Sequence, residues 1–389
     1  MALYILSDSK KSLNFSRHNQ EVSYAASLNQ KRIKTIILKS SENLSGLLND
    51  DQSVLFILDT LTSHHEPILG FCNKHSIPVI AANNPPYFHT KYFFSTIMGD
   101  TSKCMMDLIN YIKSNNKGRV SFFAVNILSV YDINNVQTLY RFYPNFSRND
   151  VFLSENSFSE SFDSFYENRY KYDTVFCVND YAGIAFLKKM NERDPKYLRD
   201  RFVIGFMDTI IARLHKISLT SCSYSMDDLI KALASIYSIY AKHRSSFAAI
   251  NITLYGHIYT RQSTCNLPIT TDYELPPLAL SDKTLDLSGK TNKAIDYTDD
   301  PEFKDLIAID TMLTAMKKID FNILLMLISG YSNSKICDSL FLTPQTLHYH
   351  ISAMRKALNV NNTAEFIEKV SEYISEEKLK QYIETYIGS

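Results

Sequence analysis

The sequence predicts an α/β protein of two similar halves followed by a small all-α domain. Three observations predict this. Short apolar runs alternate with amphipathic stretches in the first part of the chain, the alternation starts again after about residue 127, and purely helical periodicity takes over near Ile307. A chain of 389 residues exceeds one compact core, so several domains are expected.

In the first half "LYILS", "IKTIIL", "SVLFILD" and "IPVIAAN" read as strands, with "NQEVSYAASLNQK" and "HEPILGFCNKHS" as helices between them. "FFSTIMGD" leads into the helix "TSKCMMDLINYIKSNNKG", whose Met105, Leu108, Ile109 and Ile112 share one face, and "RVSFFAV" is the next strand. In the second half "DVFLSE", "DTVFCVN" and "RFVIGFMD" are strands. "NNVQTLYRFYPNF", "SFSESFDSFYENR" and "DYAGIAFLKKMNER" are the helices around them. "SMDDLIKALASIYSIYAKH" is a helix capped by Ser225, with acidic residues in its first turn, and "AINITLYGHIYTRQST" supplies one or two closing strands. Strands that are continuously apolar are buried on both faces, which indicates parallel sheets. Two such halves joined end to end predict a bilobed protein, with ligands beyond the carboxyl ends of the strands.

Composition excludes several classes. Lys+Arg and Asp+Glu are both 41, so the whole chain has no bias toward nucleic acid, although an acidic segment can mask a basic one. No apolar run reaches the ~18 residues of a membrane span. "MALYILSDSKKS" has too short an apolar run and too early an Asp for a signal peptide, so a cytoplasmic protein is expected. The six cysteines are far apart without a C-x-x-C pair and read as small core residues in a reducing compartment; no metal site and no cofactor is expected. The chain has no G-x-S-x-G, Walker or G-x-G-x-x-G motif, and "SHHEP" reads as a solvated helix start, so no enzyme is expected.

The proposed boundaries are 1–265 for the bilobed part, 266–306 for a linker and 307–389 for the helical domain. The linker carries prolines and many acids, among them Asp272, Glu274, Asp286, Asp299 and Asp300. In the helical domain a first helix from about Asp320 ends at Gly330, which readily takes a left-handed cap. A second helix follows Ser332-Asn333 and turns Ile336, Leu340 and Phe341 inward. Thr343 and Pro344 open a third, with Leu347, Ile351, Met354 and Leu358 as its buried stripe. Gln345, Thr346, His348, Tyr349, Ser352, Arg355 and Lys356 then face outward, as a surface that touches DNA bases and phosphates would require. After it, "TAEFIEKVSEYISEEKLKQYIETYI" reads as a helical tail with Phe366, Ile367, Val370 and Ile374 in one stripe, suited either to a dimer seam or to packing on its own domain.

The stretch "ISGYSNSKICDSLFLTPQTLHYHISAMRKALNV" resembles the helix-turn-helix of LuxR/GerE-type regulators. Gly330, Tyr331, Ser332, Asn333 and Ile336 match its first signature, Thr343, Thr346, Leu347 and His350 its second, and Lys356, Leu358 and Val360 its ending. The resemblance implies double-stranded DNA as partner, read by a homodimer, with Lys335 and Thr343 added to the outward residues above as contacts. Gln345 and His348 stand where the family places basic residues, so the grip per monomer is modest.

The first 260 or so residues resemble the effector domain of LacI-type regulators and periplasmic sugar-binding proteins, through "DTVFCVNDYAGIAFLKKM", "RFVIGFMDTIIARLHKISLTSCSYSMDDL" and "LYGHIYTRQST". This implies a small-molecule effector of sugar-like or base-like chemistry. By the resemblance Asp180 would bind it with the loop Ser7, Asp8 to Phe15, and Asn134 and Asn135 stand in the stretch where the family has a pocket Arg. A receiver domain phosphorylated at Asp59 is an alternative, lacking an acidic pair after strand one and a Lys after strand five. A ligand-free interaction adaptor is another. The expectation is a ligand-responsive transcriptional regulator.

Overall fold

The computed structural model describes residues 2–6, 20–38, 41–49, 53–58, 65–82, 90–127, 129–143, 145–153, 157–244, 246–269, 284–287 and 300–387. In chain order its elements begin with β1 (Leu3–Leu6), α1 (Gln20–Gln30), β2 (Thr35–Leu38), β3 (Val54–Ile57), α2 (Glu66–Lys74), β4 (Val79–Ala82) and β5 (Ser95–Gly99). They continue with α3 (Thr101–Ser114), β6 (Val120–Val125), α4 (Val130–Phe142), β7 (Val151–Leu153), α5 (Phe158–Asn168), β8 (Thr174–Cys177) and α6 (Asp180–Arg193). Next are β9 (Phe202–Phe206), α7 (Ile210–Leu214), β10 (Thr220–Ser223), α8 (Met226–His243), β11 (Asn251–Leu254) and β12 (His257–Tyr259). The helical end has α9 (Pro301–Ala315), α10 (Lys318–Ile328), α11 (Asn333–Leu340), α12 (Pro344–Ala357), α13 (Thr363–Tyr373) and α14 (Glu376–Tyr382), then a π-turn over Ile383–Ile387.

The chain divides into two compact units, Met1–Asp100 with Tyr224–His257, and Thr101–Ser223 with Ile258–Ser389. These units do not follow the boundaries at 265 and 306, because α8 and β11 return to the first unit and the helical domain belongs to the second.

The first unit holds a six-stranded sheet in the order β11-β5-β4-β3-β1-β2, with every pairing parallel. Leu3 and Ile5 pack under α1 and α8 on one face, while Tyr4 and Leu6 meet α2 on the other. That two-sided cover is why these strands are unbroken apolar runs. A buried hydrogen bond of 2.6 Å between Ser95 Oγ and Tyr240 Oη ties α8 to β5.

The second unit repeats the plan in the order β12-β10-β9-β8-β6-β7. Leaving aside β11 and β12, both sheets have the order 2-1-3-4-5, a doubly wound arrangement with its switch point between the first and third strands. Phenylalanines dominate this core: Phe123 meets Phe186 edge to face at 5.3 Å, and Phe165 meets Phe186 at 4.9 Å. Strand β10 and helix α7 are absent from the sequence reading. The β10 sequence "TSCS" has no apolar run; its buried hydroxyls are satisfied instead, Thr220 Oγ1 by Thr264 Oγ1 at 2.7 Å. The cysteines depart from expectation at one pair: the sulfurs of Cys104 and Cys222 are joined between α3 and β10. Their Cα separation of 7.0 Å is wider than the usual disulfide range of about 4.4–6.8 Å. His65, read as solvated, is buried.

The helical domain has no separate core. One apolar cluster runs without a break from α3 and the second sheet through Phe303, Leu306, Ile309 and Leu313 of α9 to Phe321, Leu324, Ile351 and Phe366. Helix α9 starts inside the stretch read as linker: Asp300 caps it, accepting from Glu302 N at 3.0 Å, and Pro301 stands in its first turn. Asp300 also accepts from Phe158 N at 3.1 Å, and Gln137 and Leu285 exchange two hydrogen bonds of 2.8 Å. The described parts of that stretch are therefore pinned to the second sheet's helices. α9 packs on α6 and α7 on one side and on α12 on the other. At its centre the buried Asp310 accepts from Tyr181 Oη and from Ile211 N, both at 2.9 Å.

The tail is not one helix. Ser375 caps α14 after α13 ends, and between them Ser375 N donates to Leu214 O and Lys216 N to Tyr373 O. Phe366, Val370 and Ile374 are buried within the chain itself, so the tail stripe packs on its own domain and is not a free dimer seam.

Burial pushes the Asp310 carboxyl up to about 6, partly offset by Ile211 N–H and Tyr181 Oη–H. A folded-state value above the unfolded one means the folded protein binds the extra proton, so this group's contribution falls as pH rises from about 4 to 6. Asp310→Asn keeps the carbonyl for Ile211 N–H and removes the titration. The melting temperature of the wild type should therefore fall relative to this variant by a few degrees between pH 4.5 and 7 in calorimetry; parallel pH profiles would contradict the assignment.

Candidate functional site

Two surfaces carry the residues singled out by the sequence. The first is the exposed face of α12. Gly330 takes φ 76° at the end of α10, and Gly330 N and Tyr331 N bond back to Leu327 O and Met326 O at 3.0 Å, closing the helix as expected. Ser332 caps α11 and Thr343 caps α12, accepting from Thr346 N at 3.1 Å. Between them Phe341 stands in the left-handed region at φ 53° and is 96% exposed, whereas the sequence reading had turned it inward. A left-handed cap aims its side chain away from both helices.

Leu347, Ile351, Met354 and Leu358 are buried, so the remaining positions of α12 point outward. Thr343, Gln345, Thr346, His348, Tyr349 and Lys356 are exposed and Ser352 is half-buried. His348 Nε2 lies 3.3 Å from Ser352 Oγ. Lys335, at the start of α11, is exposed with its ammonium 4.2 Å from the Tyr331 ring. Arg355 differs from the rest: it is half-buried and its guanidinium donates to Asn361 O, holding the end of α12 to the loop before α13. That hydrogen bond makes Arg355 a brace for the end of α12.

His350, matched by sequence but given no role there, fixes how α12 lies. Its Nδ1 is 2.6 Å from Asp320 Oδ1, and Asp320 Oδ2 accepts from Lys317 N at 2.8 Å to cap α10. One carboxylate thus sets both the start of α10 and the rotation of α12.

The second surface is the carboxyl edge of the second sheet. β6 and β8 are parallel neighbours at the switch point, so the residues that follow them lie side by side. After β6, which bulges at Ala124 with φ 68°, comes a buried acid, Asp132. It accepts from Asn126 N and Ser129 Oγ, both at 2.9 Å, and burial pushes its carboxyl up to about 7. Asn134 is half-buried one turn into α4; Asn135 is buried, and its Nδ2 has no partner among the described residues. After β8, Asn179 caps α6, its Oδ1 accepting from Ala182 N at 2.9 Å, and remains half-buried.

Asp180 does not face a cleft. It is fully buried: Oδ2 accepts from Thr209 N at 2.7 Å and Thr209 Oγ1 at 3.0 Å, and Oδ1 from Ser221 Oγ at 2.6 Å. Burial pushes it up to about 7. A Cβ at Gly205 would come within 2.5 Å of Asp180 Oδ1, so β9 needs glycine where the carboxyl passes over it. The expectation that Asp180 binds ligand is corrected: it pins β8 to the β9–α7 turn. That turn is strained, with Met207 at φ 116° and Asp208 at φ 55°. Asp208 receives Arg213 Nη2 at 2.5 Å and also pairs with Arg261 Nη2, two partners that sequence spacing gave no means to find. Ser7, Asp8, Phe15 and Asp59 lie outside the described residues. Among the described residues no cluster of His, Cys, Asp or Glu could hold a metal, and no helix is long and apolar enough to cross a membrane.

Residues 320–370 match the family described as bacterial regulatory proteins, luxR family. The fold is similar to that of a transcriptional regulator CelR in complex with cellobiose, at 14% identity over 67% of this chain and 84% of that chain, with a TM-score of 0.54. It is also similar to the Escherichia coli transcriptional repressor ascG and to a LacI-family regulatory protein from Chloroflexus aggregans, each at 14% identity over 68% of this chain and 98% of the other, with TM-scores of 0.53. At such identities the likeness establishes a shared LacI-type fold. Curated protein sequences give no match.

His350→Ala leaves Asp320 half-buried without its ring partner and should lower stability by about 1–2 kcal/mol. His350→Gln, which can still donate, should recover most of it. Thermal unfolding of the full chain checks this; equal losses in both variants would remove the hydrogen bond from the account.

Proposed function

With a luxR-type reader in residues 320–370 and a LacI-type fold before it, we propose that the chain is a ligand-responsive transcriptional regulator of the cytoplasm. The observation that carries it is the outward face of α12, ordered by caps at Thr343 and Ser332 and by the Asp320–His350 bond. Lys335 and Lys356 hold phosphates in this reading, and Gln345, Thr346, His348 and Tyr349 lie nearest the bases, with Thr343 and Ser352 at the margin. Few cations serve each reader, so binding needs two copies, and the working form is a homodimer.

The effector side is proposed at the strand ends after β6 and β8. There Asn134, Asn135 and Asn179 bring amide groups suited to a sugar-like polyol. Binding of that molecule would shift the population of reading-competent dimers. No reaction is assigned. Phosphorylation at Asp59 fits less well, because a receiver needs one five-stranded domain and this chain has two wound sheets.

Selection of duplexes from a random pool, followed by gel shift, tests the reading. Lys356→Ala should weaken binding to all sequences alike and lower the salt slope by about 1, whereas Thr346→Ala or Tyr349→Ala should cost about 1–3 kcal/mol at particular bases. His348→Lys should raise affinity across sequences. Failure of the wild type to bind any duplex at low salt would sink the proposal.

A further inference from the structure

Beside the strand ends, the second unit has another cleft, of about 230 Å³, on the side where the last helices pack against the sensor fold. Arg213, Arg261 and Ser218 line it from the sensor fold, and Lys378, Tyr382 and Tyr386 from α14 and the π-turn. Among the described residues no acidic side chain lines it. The carboxylate of Asp208 lies behind the two guanidiniums with its side chain 5% exposed. Three cations against one carboxylate leave an excess of two positive charges.

The guanidiniums are oriented before any ligand arrives. Asp208 takes Nε and Nη2 of Arg213 and Nη2 of Arg261, and Leu219 O takes Arg261 Nη1 at 2.7 Å. Arg213 Nη1 and Arg261 Nε carry no hydrogen bond among the described residues, and Lys378 has no ion-pair partner there. The Tyr386 ring lies 5.4 Å from the Arg213 guanidinium and 5.1 Å from the Tyr382 ring, giving the cleft an aromatic wall beside its cations. A carboxylate that braces two arginines, two successive residues held at positive φ beneath them and unused N–H groups suit an anionic ligand better than a neutral one.

We propose that this cleft binds a small organic phosphate: the phosphate would bridge Arg213, Arg261 and Lys378, and its organic part would lie on Tyr382 and Tyr386. The site is distinct from the strand-end effector site and independent of how the reader meets DNA. Because the sensor fold supplies two of the cations and α14 the third, an occupied cleft holds the terminal helices against that fold. Binding there stabilises the docked reader by mass action.

The test uses the full chain, with glucose 6-phosphate and inorganic phosphate as probes and glucose at matched ionic strength as the neutral control. Titration calorimetry and thermal shift are read for wild type, Lys378→Glu and Glu377→Gln. Lys378 is half-buried without an ion pair, so its replacement spares the fold, and Glu377 is exposed outside the cleft lining. The expected result is saturable binding of glucose 6-phosphate with a rise in melting temperature. Its affinity should fall at least about tenfold in Lys378→Glu and less than about twofold in Glu377→Gln, with inorganic phosphate weaker but following the same order. Absence of phosphate-ester binding at millimolar concentration would overturn the proposal. So would equal affinity in Lys378→Glu and wild type, which would place the phosphate elsewhere, at the strand ends included.

Discussion

The buried carboxylate of Asp310 is the contact on which the arrangement of the reader depends. It takes the hydroxyl of Tyr181 from α6 and the amide of Ile211 from α7, and it belongs to the helix whose other side supports α12. A carboxylate away from water is tolerated only when its oxygens are satisfied, so the three helices are held in one geometry. The residues on either side extend the link. Asp180, next to Tyr181, bonds Thr209, and Thr209 caps α7. The turn that Asp180 holds is therefore the same turn that presents α7 to α9.

From this constraint the helix-turn-helix is built onto the second sheet. Three further ties act in the same sense: the antiparallel bridge of His215 with Ile374, made by the bonds from Lys216 N to Tyr373 O and from Ser375 N to Leu214 O, the ion pair Lys188–Glu372, and the ion pair Lys189–Glu302. Ion pairs that water still reaches add little each. The continuous apolar cluster in which Phe303, Leu306, Ile309 and Leu313 of α9 are buried contributes more. The helical domain is thus joined to the second sheet through packed helices and not through a flexible tether.

Much of this was legible in the sequence. The central strands of both sheets, such as β1, β3, β8 and β9, are buried along their whole length because helices cover both faces, and such apolar runs stand out without further context. The helix-turn-helix was legible because its punctuation is local: Gly330, Ser332 and Thr343-Pro344 each act on the turn they occupy. What escaped depends on distant partners. Strand β10 is "TSCS", polar by sequence and buried only because Ser221 and Thr220 find Asp180 and Thr264. Asp310 looks like a solvent-facing acid in an apolar helix until Tyr181, 129 positions away, is beside it. Asp180 stood at a strand end, where ligand carboxylates are found, yet Thr209 and Ser221 use both of its oxygens. Arg355, outward by periodicity, curls back to Asn361 O. In each case periodicity gives the side of the element, and the partner decides what the residue does.

Amide hydrogen exchange on the full-length protein tests the shared core most directly. The account predicts that α9, α7 and α10 open together with β8 and β9, with one protection free energy for the group. Exchange of α9 to α14 in a separate, faster step, while β8 and β9 stay protected, would contradict it.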